Sequence, residues 1–261
     1  MKILVFGDLV GNAGLNVVRE ILPSLRETHQ PDLVIANLEN ISNGKGVTPE
    51  LVERAFASGI DVATTGDHAW DERAGIPLYD AESARLLRPA NFPPGLPGKG
   101  WTTVTRGSVT IAIANVIGRV FFRAQYDDPF RAAEAWLATL PTPCISLVDM
   151  HAEATSEKRA LGFALDGKIT ALWGTHTHVP TADEQILPQG TAYLTDVGMS
   201  GALNSVIGVE TAPILSSFRT QMSARAKPEE SRPWEVNAFI LDADERTGKA
   251  REIHRIREVL V

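Results

Sequence analysis

Three times in its first third the chain runs an apolar strand into a short loop carrying side chains able to bind metal. Lys2-Ile3-Leu4-Val5-Phe6 stops at Gly7-Asp8-Leu9-Val10-Gly11, which reads as a turn with Asp at its mouth. Asp32-Leu33-Val34-Ile35-Ala36-Asn37-Leu38 ends in Glu39-Asn40, and Asp61-Val62-Ala63-Thr64-Thr65 ends in Gly66-Asp67-His68. Unbroken β-branched and aromatic runs are the pattern of strands buried on both faces. Between them, Asn16 to Glu27 has apolar residues at helical spacing, interrupted by Pro23. Thr48-Pro49-Glu50 reads as a helix start, with Thr as N-cap and Pro at the first helical position. Strand, loop and helix in that repeated order predict right-handed βαβ crossovers, a mainly parallel sheet and the α/β class. Ligands of such sheets bind beyond the carboxyl ends of the strands. Asp8, Glu39, Asn40, Asp67 and His68 are therefore candidates for one site, far apart in sequence as they are.

The remainder of the chain is more turn-rich. Arg88 to Gly98, with its prolines and glycines, reads as a structured loop. It leads into a hairpin of Trp101–Thr105 and Val109–Val116, turned at Arg106-Gly107-Ser108. Phe121 to Pro129 is an irregular insertion and Phe130 to Leu140 an amphipathic helix. A buried strand around Ile145–Val148 ends in Asp149-Met150-His151, and helical sequence follows from Ser156 to Phe163. Ile169 to Trp173 is another buried strand, and it delivers Gly174-Thr175-His176-Thr177-His178. If the chain stays extended past Gly174, the two imidazoles emerge on one face, since residues i and i+2 of a strand point the same way. Gln185 to Thr195 reads as a hairpin, Ala224 to Arg232 as charged and exposed, and Trp234–Leu241 with Ala250–Ile256 as closing strands. No repeat or linker divides the 261 residues, which are expected to form one domain over 1–261.

With 44% hydrophobic and 22% charged residues the chain is of ordinary soluble composition. A net charge of −7 leaves no basic footprint for duplex nucleic acid. An anionic substrate would need local positive charge, and metal ions are one source. The single cysteine, Cys144, has no disulfide partner in the chain and reads as an inert core thiol. The apolar run after Met1-Lys2 is too short for a secretory leader, and no stretch approaches a membrane span, so a cytoplasmic protein is expected. A homo-oligomer is left open.

Four of the six histidines, His68, His151, His176 and His178, fall in strand-end loops; His29 and His254 sit among charges and are expected to be solvated. Each residue has an ordinary explanation by itself: Asp8 as a turn former, Glu39-Asn40 as solvated loop groups, His151 as a core histidine. Together, carboxylate, amide and imidazole ligands without a thiolate suit Mn, Fe or Zn and argue against a structural zinc site. That many ligands exceeds the need of one ion and suggests two, with one carboxylate bridging. Two such ions polarise a phosphate, generate hydroxide at neutral pH and stabilise in-line displacement, while a nearby His protonates the leaving alkoxide. Asp149 and Glu153 are candidate partners for the ligating histidines, with Glu157 expected at the surface. Lys45, Arg88, Arg119 and Lys158 are candidate phosphate contacts whose commoner role is a solvated charge; Asn43 and Asn91 are undecided. Trp70, Trp101, Phe121 and Phe122 are aromatics able to stack a base, with core packing the default.

This set resembles the calcineurin-like metallophosphoesterases, which combine an early Asp, a bridging carboxylate, a Gly-Asn-His motif, a lone His and a Gly-His-x-His motif. The resemblance is closer to their YmdB-like branch and covers nearly the whole chain. Gly7–Gly11, Glu39-Asn40 with Gly44-Lys45-Gly46, and Arg88–Pro93 carry it. So do Asp128-Pro129-Phe130, His151–Lys158, Gly174–Val179 and Thr195–Met199. It implies an α-β-β-α sandwich of two mixed sheets flanked by helices. It implies one metal on Asp8, Glu39, Asn40 and His178 and a second on Glu39, Asp67, His151 and His176, with His68 as proton donor. Iron is the favoured metal, with manganese or zinc as alternatives. The implied activity is a dinuclear phosphodiesterase for cyclic nucleotides, 2′,3′-cyclic ones in particular, through attack of metal-bound hydroxide on phosphorus. A broad phosphomonoesterase and a slow-turnover regulator binding a nucleotide or RNA end are the alternatives. The superfamily's Asp-x-His has Val10 at its His position here, and Asn40 takes that place. Asp67 stands where the superfamily has Asn, which adds a third carboxylate and is expected to lower turnover or shift metal preference.

Overall fold

The structure, a computed structural model, describes residues 1–261. It opens with β1 (Lys2–Leu9), α1 (Gly11–His29), β2 (Leu33–Asn37), α2 (Pro49–Ala57) and β3 (Val62–Thr64). The three strands are parallel, with Ile3 opposite Leu33 and Ile35 opposite Val62, as the strand–loop–helix order predicts. Strand alternation sends Leu4 and Phe6 to one apolar layer and Ile3 and Val5 to another. Both layers exclude water, which is why β1 is apolar from Ile3 to Phe6.

Two local expectations need correction. β1 does not stop at Phe6 but runs to Leu9, and α1 starts at Gly11 with no turn between. The register against β2 slips between Phe6 and Asp8, a bulge at Gly7 of the kind that re-aims side chains beside active sites. Only glycine fits there, because a Cβ would overlap the Gly198 carbonyl oxygen. Thr48 does sit at the N-cap of α2, yet its side chain makes no capping hydrogen bond.

The chain continues with α3 (Leu78–Ala81), β4 (Trp101–Arg106), β5 (Val109–Ile117), α4 (Pro129–Leu137), β6 (Ile145–His151) and α5 (Thr155–Ala164). It closes with β7 (Ala171–Thr175), β8 (Gln185–Ile186), β9 (Ala192–Leu194), β10 (Met199–Ala202), α6 (Thr211–Thr220), β11 (Trp234–Ala243) and β12 (Ala250–Leu260). One six-stranded sheet has the order β12-β11-β10-β1-β2-β3 and the other β4-β5-β6-β7-β9-β8. Both are mixed. β11 runs antiparallel to β1 while β10 runs parallel to it, and the hairpin β4–β5 leads into parallel β5, β6 and β7.

Ile3, Val5, Leu33 and Ile35 of the first sheet form a buried layer with Ile113, Leu147 and Trp173 of the second. Trp173 meets Phe239 of β11 edge-on at 5.6 Å between ring centroids. On the outer faces, α1 and α2 cover the first sheet, and Trp136 of α4 with Leu161 of α5 cover the second. The result is the α-β-β-α sandwich that the resemblance implies.

Several polar residues are not where the sequence puts them. Lys158 and Glu157 are buried rather than solvated, and so is Arg88, which donates to the carbonyls of Pro89 and Pro97 at 2.7 and 3.1 Å. Asn91 is also buried and serves the backbone of Ile117 and Asp127. Cys144 is half-buried and lines a cleft of about 580 Å³ with Ser146 and Lys168, so it is not a core thiol, although burial does raise its pKa. No helix is long and apolar enough to cross a membrane.

The inter-sheet layer carries a stability prediction. Phe239→Ala empties a fully buried aromatic position remote from the strand-end loops and will cost about 3–5 kcal/mol. Denaturant unfolding measures it as a lower midpoint at unchanged slope; a loss under about 1 kcal/mol would contradict the packing described.

Candidate metal centre

β2 delivers Glu39 and Asn40 into a loop that folds back on itself. Asn37 Oδ1 accepts the Glu39 N–H at 3.0 Å, the Glu39 carbonyl accepts the Gly46 N–H, and Asn40 Nδ2 donates to the Gly44 carbonyl at 3.0 Å. The glycine-rich stretch thus fixes both side chains at the strand end. β3 ends two residues before Gly66, whose missing side chain leaves room for the His151 ring; a Cβ would overlap it.

Beyond the ends of both sheets, four ligand atoms converge within 4.8 Å of one another, from Glu39, Asp67, His151 and His176. His151 Nε2 lies 2.9 Å from Glu39 Oε1, 3.1 Å from Asp67 Oδ1 and 3.0 Å from His176 Nδ1. His176 Nδ1 is 3.3 Å from Asp67 Oδ1. A tetrahedral ion with bonds near 2.1 Å separates its ligand atoms by about 3.4 Å, so these spacings suit one cation. Burial alone would raise the carboxyls of Glu39 and Asp67. The adjacent His151, by charge and hydrogen bond, outweighs burial at Glu39 and, with His176, at Asp67, and holds both below their ordinary values.

A second group lies alongside. His178 Nε2 is 4.0 Å from Asp8 Oδ1, and both Asp8 Oδ1 and Asn40 Oδ1 are buried oxygens without a hydrogen-bond partner. Burial pushes the Asp8 carboxyl above its ordinary range, offset only in part by His178 and His151. Orphaned buried oxygens are costly unless a cation or donor meets them. Oxygen, oxygen and imidazole suit a borderline-hard divalent ion, so the residues present fit the group that the sequence implies.

The histidine pair is not side by side on an extended strand. β7 ends at Thr175, and His176 and His178 both take left-handed backbone conformations, with φ of 96° and 65°. The His176 N–H donates to Asp8 Oδ2 at 3.1 Å, while Thr177 Oγ1 and Lys158 Nζ both donate to Asp196 Oδ2, at 2.8 and 2.6 Å. These bonds curl the chain, so His176 faces Asp67 and His178 faces Asp8.

Each histidine is also held from behind. With Nε2 turned to the carboxylates, His151 Nδ1 donates to Thr175 Oγ1 at 2.9 Å, and Thr175 donates to Asp149 Oδ1 at 2.8 Å. Asp149 also accepts from Thr64, and burial, working against those bonds, pushes its carboxyl up to about 7. His176 Nε2 faces Glu153 Oε2 at 3.3 Å, and His178 Nδ1 donates to the Ile207 carbonyl at 2.8 Å. His68 donates its backbone N–H to Glu39 Oε2 at 3.1 Å and has Nδ1 3.0 Å from Asp71 Oδ2, while Nε2 makes no hydrogen bond and lies 3.9 Å from Asp67 Oδ2.

Asp149 and Glu153 therefore partner the histidines, as expected of them, whereas Glu157 and Lys158 are structural. Lys45 is exposed, Arg119 pairs with Asp128 at 3.4 Å, and His254 pairs with Glu252 at the surface. Trp70 packs edge-on against Tyr79 at 4.8 Å, Phe122 tilts over His176 at 4.9 Å, and Trp101 and Phe121 are exposed. Asn37, Thr64, Asp71, Thr175 and Asp196 were not given roles by sequence. Thr175 and Asp71 had a signal, one between Gly174 and His176 and the other three residues after His68.

Comparison with known proteins gives the family. A family described as YmdB-like protein matches residues 4–256. A relative from Bacillus subtilis (strain 168), named 2′,3′-cyclic-nucleotide 2′-phosphodiesterase, is 42% identical over 258 residues, spanning 98% of this chain and 96% of its own. A crystal structure of a hypothetical protein from Thermus thermophilus superposes with a TM-score of 0.93 at 38% identity, covering 100% of both chains. A Mycoplasma pneumoniae protein whose crystal structure is described as a novel phosphatase has a TM-score of 0.93 at 32% identity, covering 99% of this chain and 93% of its own. Nearly every residue from β1 to β12 is matched, and the chain belongs to the YmdB-like family.

Proposed function

We propose that this chain, a metal-dependent phosphoesterase, hydrolyses cyclic phosphodiesters of nucleotides, 2′,3′-cyclic ones first, with two metal ions bridged by Glu39. The observation that carries the reading is the convergence of Glu39, Asp67, His151 and His176 beside the unpartnered oxygens of Asp8 and Asn40. Asp8, Asn40 and His178 with Glu39 would hold one ion, and Asp67, His151 and His176 with Glu39 the other. When bound, such ions neutralise phosphate charge and activate water. The mixed carboxylate, amide and imidazole ligand set, without a thiolate, suits iron, manganese or zinc, and the family resemblance favours iron among them.

The protein's own groups do the rest. Asp71 Oδ2 accepts from His68 Nδ1–H, so His68 acts as a doubly protonated imidazolium when it gives its Nε2 proton to the departing ribose oxygen and is left as the neutral Nδ1–H ring. Glu39 Oε2 is fixed by the His68 N–H, and Oε1 faces His151 Nε2, the atom with which it would share an ion. Asp67 bears on the choice between diester and monoester. Asp8, Glu39 and Asp67 bring three negative charges, which against two divalent ions leave a site one charge positive. That complements a phosphodiester monoanion better than a monoester, which is mostly dianionic above its second pKa of about 6.

Metal-loaded protein assayed on 2′,3′-cyclic, 3′,5′-cyclic and monophosphate nucleotides should cleave the 2′,3′-cyclic substrate fastest; fastest turnover of a monophosphate would reject the diesterase reading. His68→Ala should lower kcat about 10²- to 10⁴-fold on the nucleotide and far less on an ester with a good leaving group. Full activity retained on the nucleotide, or an equal fold-loss on both esters, would remove His68 from the proton-donor role. Thr175→Val cuts the link from His151 to Asp149. In a chelator competition it should weaken metal affinity about 10- to 100-fold relative to a wild type that carries two metals per chain by elemental analysis. Asp67→Asn raises the charge of the cradle and should shift selectivity toward monoesters; unchanged metal content, kcat and KM would show that position 67 has no such effect.

A further inference from the structure

Between β5 and α4 the chain makes a compact loop, residues 118–128, fastened at both ends and bare at its tip. One buried side chain closes it: Asn91 Nδ2 donates to the carbonyls of Ile117 and Asp127 at 2.7 and 2.8 Å, and Asn91 Oδ1 accepts the Ile117 N–H at 2.8 Å. The buried Glu157 carboxylate accepts the N–H groups of Arg119 and Val120 at 3.0 and 3.2 Å. The Gly118 N–H donates to the carbonyl of His151 at 2.9 Å, which ties the loop directly to the metal centre. Loops of this size with joined ends are often functional.

Inside the loop, Phe122 lies over the His176 ring at 4.9 Å and Tyr126 stacks on Phe92 at 5.1 Å. Its neighbour Phe121 behaves oppositely. Phe121 is 82% exposed and has φ 71°, a left-handed conformation that bulky side chains rarely adopt. It directly precedes Phe122, with their Cα atoms one peptide unit, about 3.8 Å, apart. Arg119 and Arg123 flank it, both exposed, in a chain whose net charge is −7. Lone exposed apolar residues are ordinary. This one sits at a disfavoured backbone position, on a loop held by two buried polar side chains, beside the residue whose ring covers His176.

We propose that Phe121 is the platform on which the base of a nucleotide substrate stacks while its phosphate lies at the metal centre. The inference rests on the proposed phosphodiesterase reading and adds the group that tells a nucleotide from a simple cyclic phosphate. An exposed aromatic face is available to any base, so it supplies affinity for nucleotides without strong preference among them. Trp70 and Phe122, in contrast, have their rings engaged by Tyr79 and His176.

The test compares a 2′,3′-cyclic nucleotide with glycerol 1,2-cyclic phosphate, which has the same strained ring and no base. Phe121→Ala should lower the ratio of kcat/KM for nucleotide over base-free substrate about 10- to 100-fold, mainly through KM, and Phe121→Trp should preserve it. A ratio unchanged in Phe121→Ala overturns the platform. Binding separates this outcome from failure of the parent reading. If the wild type hydrolyses neither ester, the metal-loaded protein should still bind a nucleoside monophosphate more tightly than inorganic phosphate, and Phe121→Ala should abolish the difference. No such difference, or one that survives the substitution, also overturns the proposal.

Discussion

The contact on which the arrangement turns is that between Glu39 and His151. The two groups are essentially fully buried, 2.9 Å apart, and come from different sheets. A buried carboxylate or imidazolium is tolerated only when paired or metal-bound. The contact therefore requires the first sheet, ending in Glu39, and the second, ending in His151, to terminate at the same edge of the sandwich. Gly66 is part of the same constraint, because the His151 ring occupies the space of its side chain. The apolar layer between the sheets supplies most of the folding free energy but is non-directional. Polar pairing at the edge sets which strand ends face each other.

The histidine loop after β7 shows how local strain is held. Non-glycine residues in the left-handed region cost about 1–3 kcal/mol each and persist where their surroundings over-determine them. Here His176 and His178 both carry that cost. Asp196 is the surrounding group: it accepts from Thr177, Lys158 and the Gly198 N–H, and the Lys158–Asp196 pair is buried on both sides. Gly198 in turn presents its carbonyl to Gly7 at the β1 bulge beside Asp8. The bend that separates the two histidines and the bulge that aims Asp8 thus share one strut.

The parallel strands, the hairpin β4–β5 and the convergence of strand-end polar residues were all legible, because each follows from local periodicity or from the topology of βαβ units. The path of the histidine loop was not. Alternation past Gly174 predicts two imidazoles on one face, and only the bonds to Asp8 and Asp196, distant in sequence, bend it otherwise. The fates of Glu157, Lys158 and Arg88 were hidden for the same reason. A charged residue reads as solvated until its partner is known: those of Glu157 and Lys158 come from segments 37 and 38 residues away, and those of Arg88 are carbonyls of its own proline-rich loop. The opposite error was available with His151, for which a core histidine is the ordinary explanation; it is indeed fully buried, but among carboxylates.

Burial divides the polar residues around the centre into two physical roles. Asn37, Asp149, Thr175, Asp196 and Lys158 are buried, so their hydrogen bonds stabilise the fold and orient the ligand atoms at once. Changing one of them leaves a buried group unpaired, and stability and metal binding should fall together. The tip of the loop after β5 is solvated and contributes little to stability, while Asn91 and Glu157 hold its base. Variation at the tip can therefore alter what is bound without disturbing how the metals are held. The residues of the centre sit on strand ends that the core fixes, whereas the exposed tip of this loop is held only at its base.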